Sequence, residues 1–297
     1  METSSDVKWP EPIWQEINDA VVKEVAKVRT AQKVFPTTVL DNDPTEVQND
    51  VILFDARTGE MSIKEGQTKS FVEIYQEFSL TSAQVSKEAQ LKTCKSLARM
   101  AAKALALAED TILFQGKGAK LQANVKAEAI DTAGDGLLGV ANPKDADDNN
   151  PTKVTVPIDV TKAVKPKPGV IYGENVFAKV TEAIAKLTDK AQAPKFALLL
   201  PTAVFADTFA PPGDQSLVTT AERIKPLVEG GFYGTGTLPP DKGLLVALAG
   251  DPTTLSVGRE AKTEFIRKDG TKYVFKVSER FQFVARDARS MVLLNFK

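Results

Sequence analysis

Apolar and small residues recur every three or four positions over 82–115, at Cys94, Leu97, Ala98, Ala101, Ala104, Leu105, Ala108 and Ile112. That spacing predicts one long helix with a buried face. Lys87, Glu88, Lys92, Lys95, Arg99 and Lys103 mark its wet side. Thr81 followed by Gln84 predicts a capping box at the start, and Gly116 with Gly118 predicts the stop. At about 1.5 Å per residue such a helix is roughly 50 Å long, a spine from which two lobes can hang.

The rest of the chain reads around that spine. Residues 1–8 form a polar tail. Over 9–34, Ile13, Ile17, Ala20, Val21, Val25 and Val28 make the stripe of an amphipathic helix, begun at Pro10 and Pro12. It serves either packing or docking. Pro36, Asp41, Asn42, Asp43 and Pro44 then break regular structure. Strands at 51–57, 60–64 and 71–80, around a turn at 58–59, predict a polar two-stranded arm. An isolated hairpin is marginal in water, so the arm needs a support, and a neighbouring subunit is a good one.

After the spine, 117–169 is polar and irregular. Asp145, Asp147, Asp148 and Asn149 faintly resemble a calcium loop. They lack the glycine at the sixth position and the glutamate at the twelfth, so a solvated loop is the reading. Beyond it, a helix at 175–189, a wholly apolar strand at 196–200, short helices at 201–209 and 218–228 and a strand at 244–248 alternate. Pro-Pro pairs at 211–212 and 239–240 punctuate them. That alternation predicts a small α/β lobe over 170–250. Strands follow at 254–257, 263–267 and 272–277, with a hairpin turn at Asp269-Gly270. The last two, 279–285 and 290–296, are expected to pair around Arg286-Asp287-Ala288, with the apolar C-terminal strand buried against the spine.

Composition narrows the chemistry. The 297 residues are 42% hydrophobic and 26% charged, with a net charge of −1, so nothing suggests a nucleic-acid partner. No apolar run approaches the roughly 20 residues that span a bilayer, and the N-terminus has no secretory pattern. The single cysteine, Cys94, sits on the apolar side of the spine and fits a reducing cytoplasm. There is no histidine, which removes Ser-His-Asp and Cys-His catalysis and histidine metal sites together. No glycine pattern completes a nucleotide-binding fingerprint. An enzyme using Glu109 and Asp110 is a weak alternative, because adjacent residues on a helix do not face each other.

Six segments carry a resemblance: WQEIND (14–19), FVEIYQEFSL (71–80), AEDTILFQG (108–116), GLLGV (136–140), LSVGREAKTEF (255–265) and SERFQFVARDARSMVLLNF (278–296). In order and spacing the chain resembles an encapsulin shell protein. The resemblance implies an α+β fold of the HK97 phage capsid type, with a peripheral domain, an axial domain and an extended loop. It implies an N-terminal helical segment at 1–40, the extended loop at 41–72, and a peripheral domain with the spine helix at 73–118. A polar insertion at 119–169, the axial domain at 170–250 and a terminal sheet of the peripheral domain at 251–297 complete the chain. It further implies a self-assembling icosahedral nanocompartment in the bacterial or archaeal cytoplasm, a homo-oligomer of 60 or more copies. Such a shell encloses ferritin-like or peroxidase cargo through the cargo's C-terminal targeting peptide. No catalytic residue, metal, cofactor, nucleic acid or membrane is implied. Apolar patterning nominates Val25, Val28, Phe35 and Val39 as the cargo groove, with ordinary core packing as their other reading. Two departures stand out. The segment after the first helix reads Ala31-Gln32-Lys33-Val34-Phe35-Pro36 where several members carry a Gly-Arg pair and an Asp, and 117–169 is longer than expected. A major capsid protein of an HK97-type phage or prophage is the alternative.

Overall fold

The computed structural model describes residues 7–55, 58, 60–164, 170–211 and 218–297. The first part of the expected tail (1–6), Ala56, Arg57 and Gly59 of the arm turn, 165–169 and the second proline of the 211–212 pair lie outside the described residues.

Two five-stranded sheets organise the chain. In the first, the order is Thr37–Val39, Thr253–Asp269, Lys272–Ala285, Val72–Thr81, Lys126–Glu128. Its centre is one long antiparallel hairpin whose turn is the predicted Asp269-Gly270, with Gly270 at φ +58°. The separate strands expected at 254–257 and 263–267 are a single strand carrying bulges between Val257 and Lys262. Those bulges break the two-residue alternation that a sequence reading follows. Likewise 272–277 and 279–285 are one strand, because Ser278 and Glu279 stay buried inside it.

The first helix, Glu11–Val28, and the spine helix, Thr93–Gln115, cover one face of this sheet. They run in the same direction: Glu16 meets Lys92 and Lys95, Glu24 meets Arg99, and Arg29 meets Glu109. Alanines 98, 101, 102, 104, 106 and 108 make the buried side of the spine helix, and small side chains let Ile17, Val21 and Val25 pack close.

The expected 34-residue spine is interrupted. Short helices Ser82–Ser86 and Glu88–Leu91 precede it, and Lys92 takes a left-handed conformation at φ +52°. The cause is Glu88. Its buried carboxylate accepts from the amides of Cys94 (2.8 Å) and Lys95 (3.1 Å), capping a new helix in mid-run. The capping box of Thr81 and Gln84 forms as the spacing predicts, but on the short first piece. The stop at Gly116 is enforced by backbone contact. A Cβ there would lie 2.2 Å from the Gly134 carbonyl oxygen, and one at Gly136 would lie 2.4 Å from the Phe114 oxygen. The two glycines cross with nothing between them.

The second sheet has the order Gly231–Thr235, Phe196–Pro201, Lys242–Ala247, Met291–Phe296, Ile158–Val160. Both its faces are buried, which explains its wholly apolar strands. Ala197, Leu199, Leu244, Val246, Met291 and Leu293 join the core around the spine helix. Leu198, Leu200, Leu245, Val292 and Leu294 face the other way, toward the helix Glu174–Asp189. The last strand therefore corrects the sequence reading. Met291–Phe296 pairs with Lys242–Ala247 and Ile158–Val160, not with the strand before it. It ties the C-terminus into the α/β lobe while still touching the spine core.

Candidate functional site

No described helix is long and apolar enough to cross a membrane, and no group of three or more His, Cys, Asp or Glu among the described residues is placed to hold a metal ion. The features left for function are a protruding arm, a free sheet edge and a buried charge cluster.

The arm leaves the body between Thr37–Val39 and Val72–Thr81 as two short ladders, Glu46–Gln48 with Thr68–Ser70 and Val51–Phe54 with Met61–Lys64. Its base is pinned. Asp43 accepts from Arg280 at 3.0 Å, and Lys69 donates to the Phe283 carbonyl at 3.3 Å with its ammonium 3.8 Å from that residue's ring. Burial lowers the Lys69 pKa to about 8. Ile52 donates its amide to the Arg286 carbonyl at 2.8 Å, and the Arg289 guanidinium lies 3.4 Å from the centre of the Phe54 ring. Opposite residues of an antiparallel pair share a face. Ile52 with Ile63 and Phe54 with Met61 therefore make one apolar face. Ile63 is 60% exposed and Met61 70%. The sequence predicts a polar arm, and the structure gives it an apolar face. The signal that sequence alone misses is the register, which collects four apolar side chains on one side.

The four nominated groove residues differ in exposure. Val25 and Phe35 are buried in the core beside the spine helix, and Val28 is half-buried against it. Val39 is 52% exposed at the end of Thr37–Val39, which pairs in parallel with Leu255–Val257. That three-residue strand is the outer edge of its sheet.

Between these features lies a corner. The first helix ends at Val28, Arg29 turns extended, and a one-turn helix, Ala31–Val34, begins. The carboxylate of Asp110 reaches from the spine helix to accept from the amides of Thr30 (2.6 Å) and Ala31 (3.0 Å). Its neighbour Glu109 pairs with Arg29 and accepts from Gln32 at 2.9 Å. Arg29 also pairs with Glu279 of the long hairpin. Burial raises the Glu109 pKa, against the pull of Arg29. Burial and the adjacent Glu109 together push Asp110 up to about 7. Perturbed carboxylates are a signature of catalytic sites. Here both are sealed from solvent and committed to backbone, Gln32 and guanidinium, so the arrangement is a structural joint.

Comparison with known proteins places this geometry. Residues 7–126 and 160–282 match a family described as encapsulating protein for peroxidase. The gap, 127–159, falls within the polar stretch. No curated protein sequence matches the chain. Among solved structures, the virus-like particle from Pyrococcus furiosus superposes with a TM-score of 0.66 at 15% identity, over 95% of this chain and 99% of that one. Mycobacterium phage Bobi gives 0.58 at 13% identity, over 91% and 90%. The capsid of a native GTA particle gives 0.57 at 13%, over 100% and 94%. At such identities these likenesses show the fold alone, the HK97-type capsid fold shared by shells and phages. The family match covers more than half of the chain and separates the two readings. The chain belongs to the family of encapsulating proteins for peroxidase, and is a shell subunit of an encapsulin nanocompartment, not an enzyme.

Proposed function

We propose that this chain closes into an icosahedral shell of 60 or more copies in the cytoplasm and holds its cargo enzyme by a C-terminal peptide of that enzyme. The observation that carries the assembly half is the apolar face of the arm. Met61, Ile63, Phe54 and Ile52 lie on one side of a hairpin, and the outer pair, Met61 and Ile63, are 70% and 60% exposed in the single chain. Leaving such a face in water forgoes about 25 cal/mol for each Å² of apolar surface. Laying it on a second copy recovers that energy, and closed symmetry lets every copy do so without forming filaments. In this reading 41–72 is the extended loop, 170–250 supplies the contacts at the symmetry axes, and 73–118 with 251–297 form the peripheral body.

For the cargo half, Val28 and Val39 are the accessible members of the peptide surface, while Val25 and Phe35 lie in the core beside the spine helix. The unpaired edge at Thr37–Val39 lies beside it.

A double change, Met61→Asp with Ile63→Asp, tests the assembly. Two buried charges at each copy of the interface are expected to abolish particles in size-exclusion chromatography. The subunit's far-ultraviolet circular dichroism stays unchanged, because both residues are exposed in the single chain. Intact particles from this variant would remove the arm face as an assembly contact. Val39→Asp tests the cargo surface separately: shells form normally but lose co-purifying cargo, and full cargo retention rejects the assignment.

A further inference from the structure

The corner joining the first helix to the one-turn helix has more negative groups than its positive charge can balance. From the spine helix come Glu109 and Asp110, from the long hairpin Glu279, and from the corner itself only Arg29. All three carboxylates are buried, and one oxygen of Glu279 has no hydrogen-bond partner. Gln32, the Thr30 hydroxyl and the amides of Thr30 and Ala31 also meet these carboxylates, and they carry no charge. With every carboxylate ionised, three buried negative charges face one half-buried guanidinium. Burial of an unbalanced charge is costly, so protons are retained.

We propose that this corner is a proton-operated clasp. While Glu109 and Asp110 retain protons, the corner is held against the spine helix. As the protons leave, repulsion loosens the segment from Val28 to Phe35 without unfolding the body of the subunit.

The direction follows from linkage. Asp110 is raised from its ordinary value to about 7 in the folded joint, while in an opened corner, wet and separated from Glu109, it returns toward its ordinary value. The closed form therefore binds the proton more tightly. Closure is strongest below about pH 4 and weakens as pH rises toward 7. One linked proton makes the opening equilibrium rise about tenfold per pH unit in that window, and Glu109, also raised by burial, acts in the same direction. The cluster lies inside one subunit, so the clasp acts in free chains and in particles alike. If Val28 and Val39 form the cargo surface, a consequence that rests on the functional reading above, the same pH rise loosens the grip on cargo.

Hydrogen exchange read by mass spectrometry tests the clasp directly, because the amides of Thr30 and Ala31 are the ones Asp110 holds. Intact protein is labelled at pH 5 and pH 7, with times scaled to equalise the intrinsic exchange chemistry. Peptides across 28–35 are compared with peptides across 101–114 of the spine helix as an internal reference. The expected result is a loss of protection at the corner of about 10- to 100-fold between the two pH values, with the reference unchanged. D110N and E109Q each remove a titrating group and are expected to flatten that ratio. A wild-type ratio within twofold overturns the proposal, and so does a wild-type slope retained in both variants. Should either variant fail to fold, the wild-type ratio still decides. Cargo retention across the same pH values is scored separately. A pH-dependent corner with pH-independent cargo keeps the clasp and rejects only the cargo surface.

Discussion

Lys190 offers the sharpest test of how the polar insertion is held. It caps the helix Glu174–Asp189, and its side chain is almost wholly buried. The ammonium donates to three backbone carbonyls of the loop wrapped around it: Asp147 at 2.6 Å, Lys153 at 2.7 Å and Asn150 at 3.2 Å. All three of its donors are used. A charge-assisted bond of this kind contributes about 1.5–3 kcal/mol, so the set gives roughly 4–9 kcal/mol before the cost of burying the ammonium is subtracted. That cost is several kcal/mol. Replacing Lys190 with methionine keeps the length and removes every donor. A net loss of about 2–4 kcal/mol is expected, since the loop can recover water for its carbonyls only by leaving its seat. At about 2–4 °C per kcal/mol for a chain of this class, the melting temperature falls by roughly 4–15 °C. Trypsin should cut at Lys144 and Lys153 far faster in K190M than in the wild type. K190R does not rescue, because a planar fork cannot direct three donors from one nitrogen to three carbonyls. A melting temperature within 1 °C of wild type, with unchanged cleavage, would refute the reasoning.

Three further outcomes follow from single features. Gly136→Ala places a methyl against the Phe114 carbonyl and Gly116 amide at a φ of +68°, and should cost about 2–4 kcal/mol in denaturant unfolding; Gly250→Ala, where the added Cβ meets nothing, should cost only about 1 kcal/mol. Burial, helped by Glu88, pushes the Cys94 thiol pKa up, so Ellman's reagent should leave the native protein unlabelled and react fully after denaturation. Glu88→Gln weakens the cap on Cys94 and Lys95 and should cost about 1 kcal/mol in thermal unfolding, with the helix start near Thr93 fraying first by hydrogen exchange.

Local rules carried the reading wherever the information was local. The stripe from Cys94 to Ile112, the Thr81–Gln84 box, the Gly116 stop and the Asp269-Gly270 turn each depend on residues within a few positions of one another, and each appears in the fold. The failures are long-range. Lys92 breaks the spine because a glutamate four residues back turns its carboxylate onto the following amides, which hydrophobic spacing does not encode. The C-terminal strand leaves its expected partner because both its faces find apolar neighbours in the other sheet. Gly231–Thr235, with two glycines in five residues, carries too little strand propensity to be seen beside Phe196–Pro201. The loop at 145–153 is organised by an ammonium that comes from Lys190, about forty residues on. The same holds for the corner, where Arg29 meets Glu279 across 250 positions. The helical stripe that joins Val25 and Val28 does face one core, with Val25 inside it and Val28 at its margin.

The most direct test of the central claim is mass photometry with cryo-electron microscopy on the chain expressed alone. The account predicts closed hollow particles of one dominant size, of a mass at or above 60 times 32.1 kDa, with the hairpin at 51–64 lying on a neighbouring subunit. A stable monomer or dimer at the same concentration, folded and without particles, would contradict it.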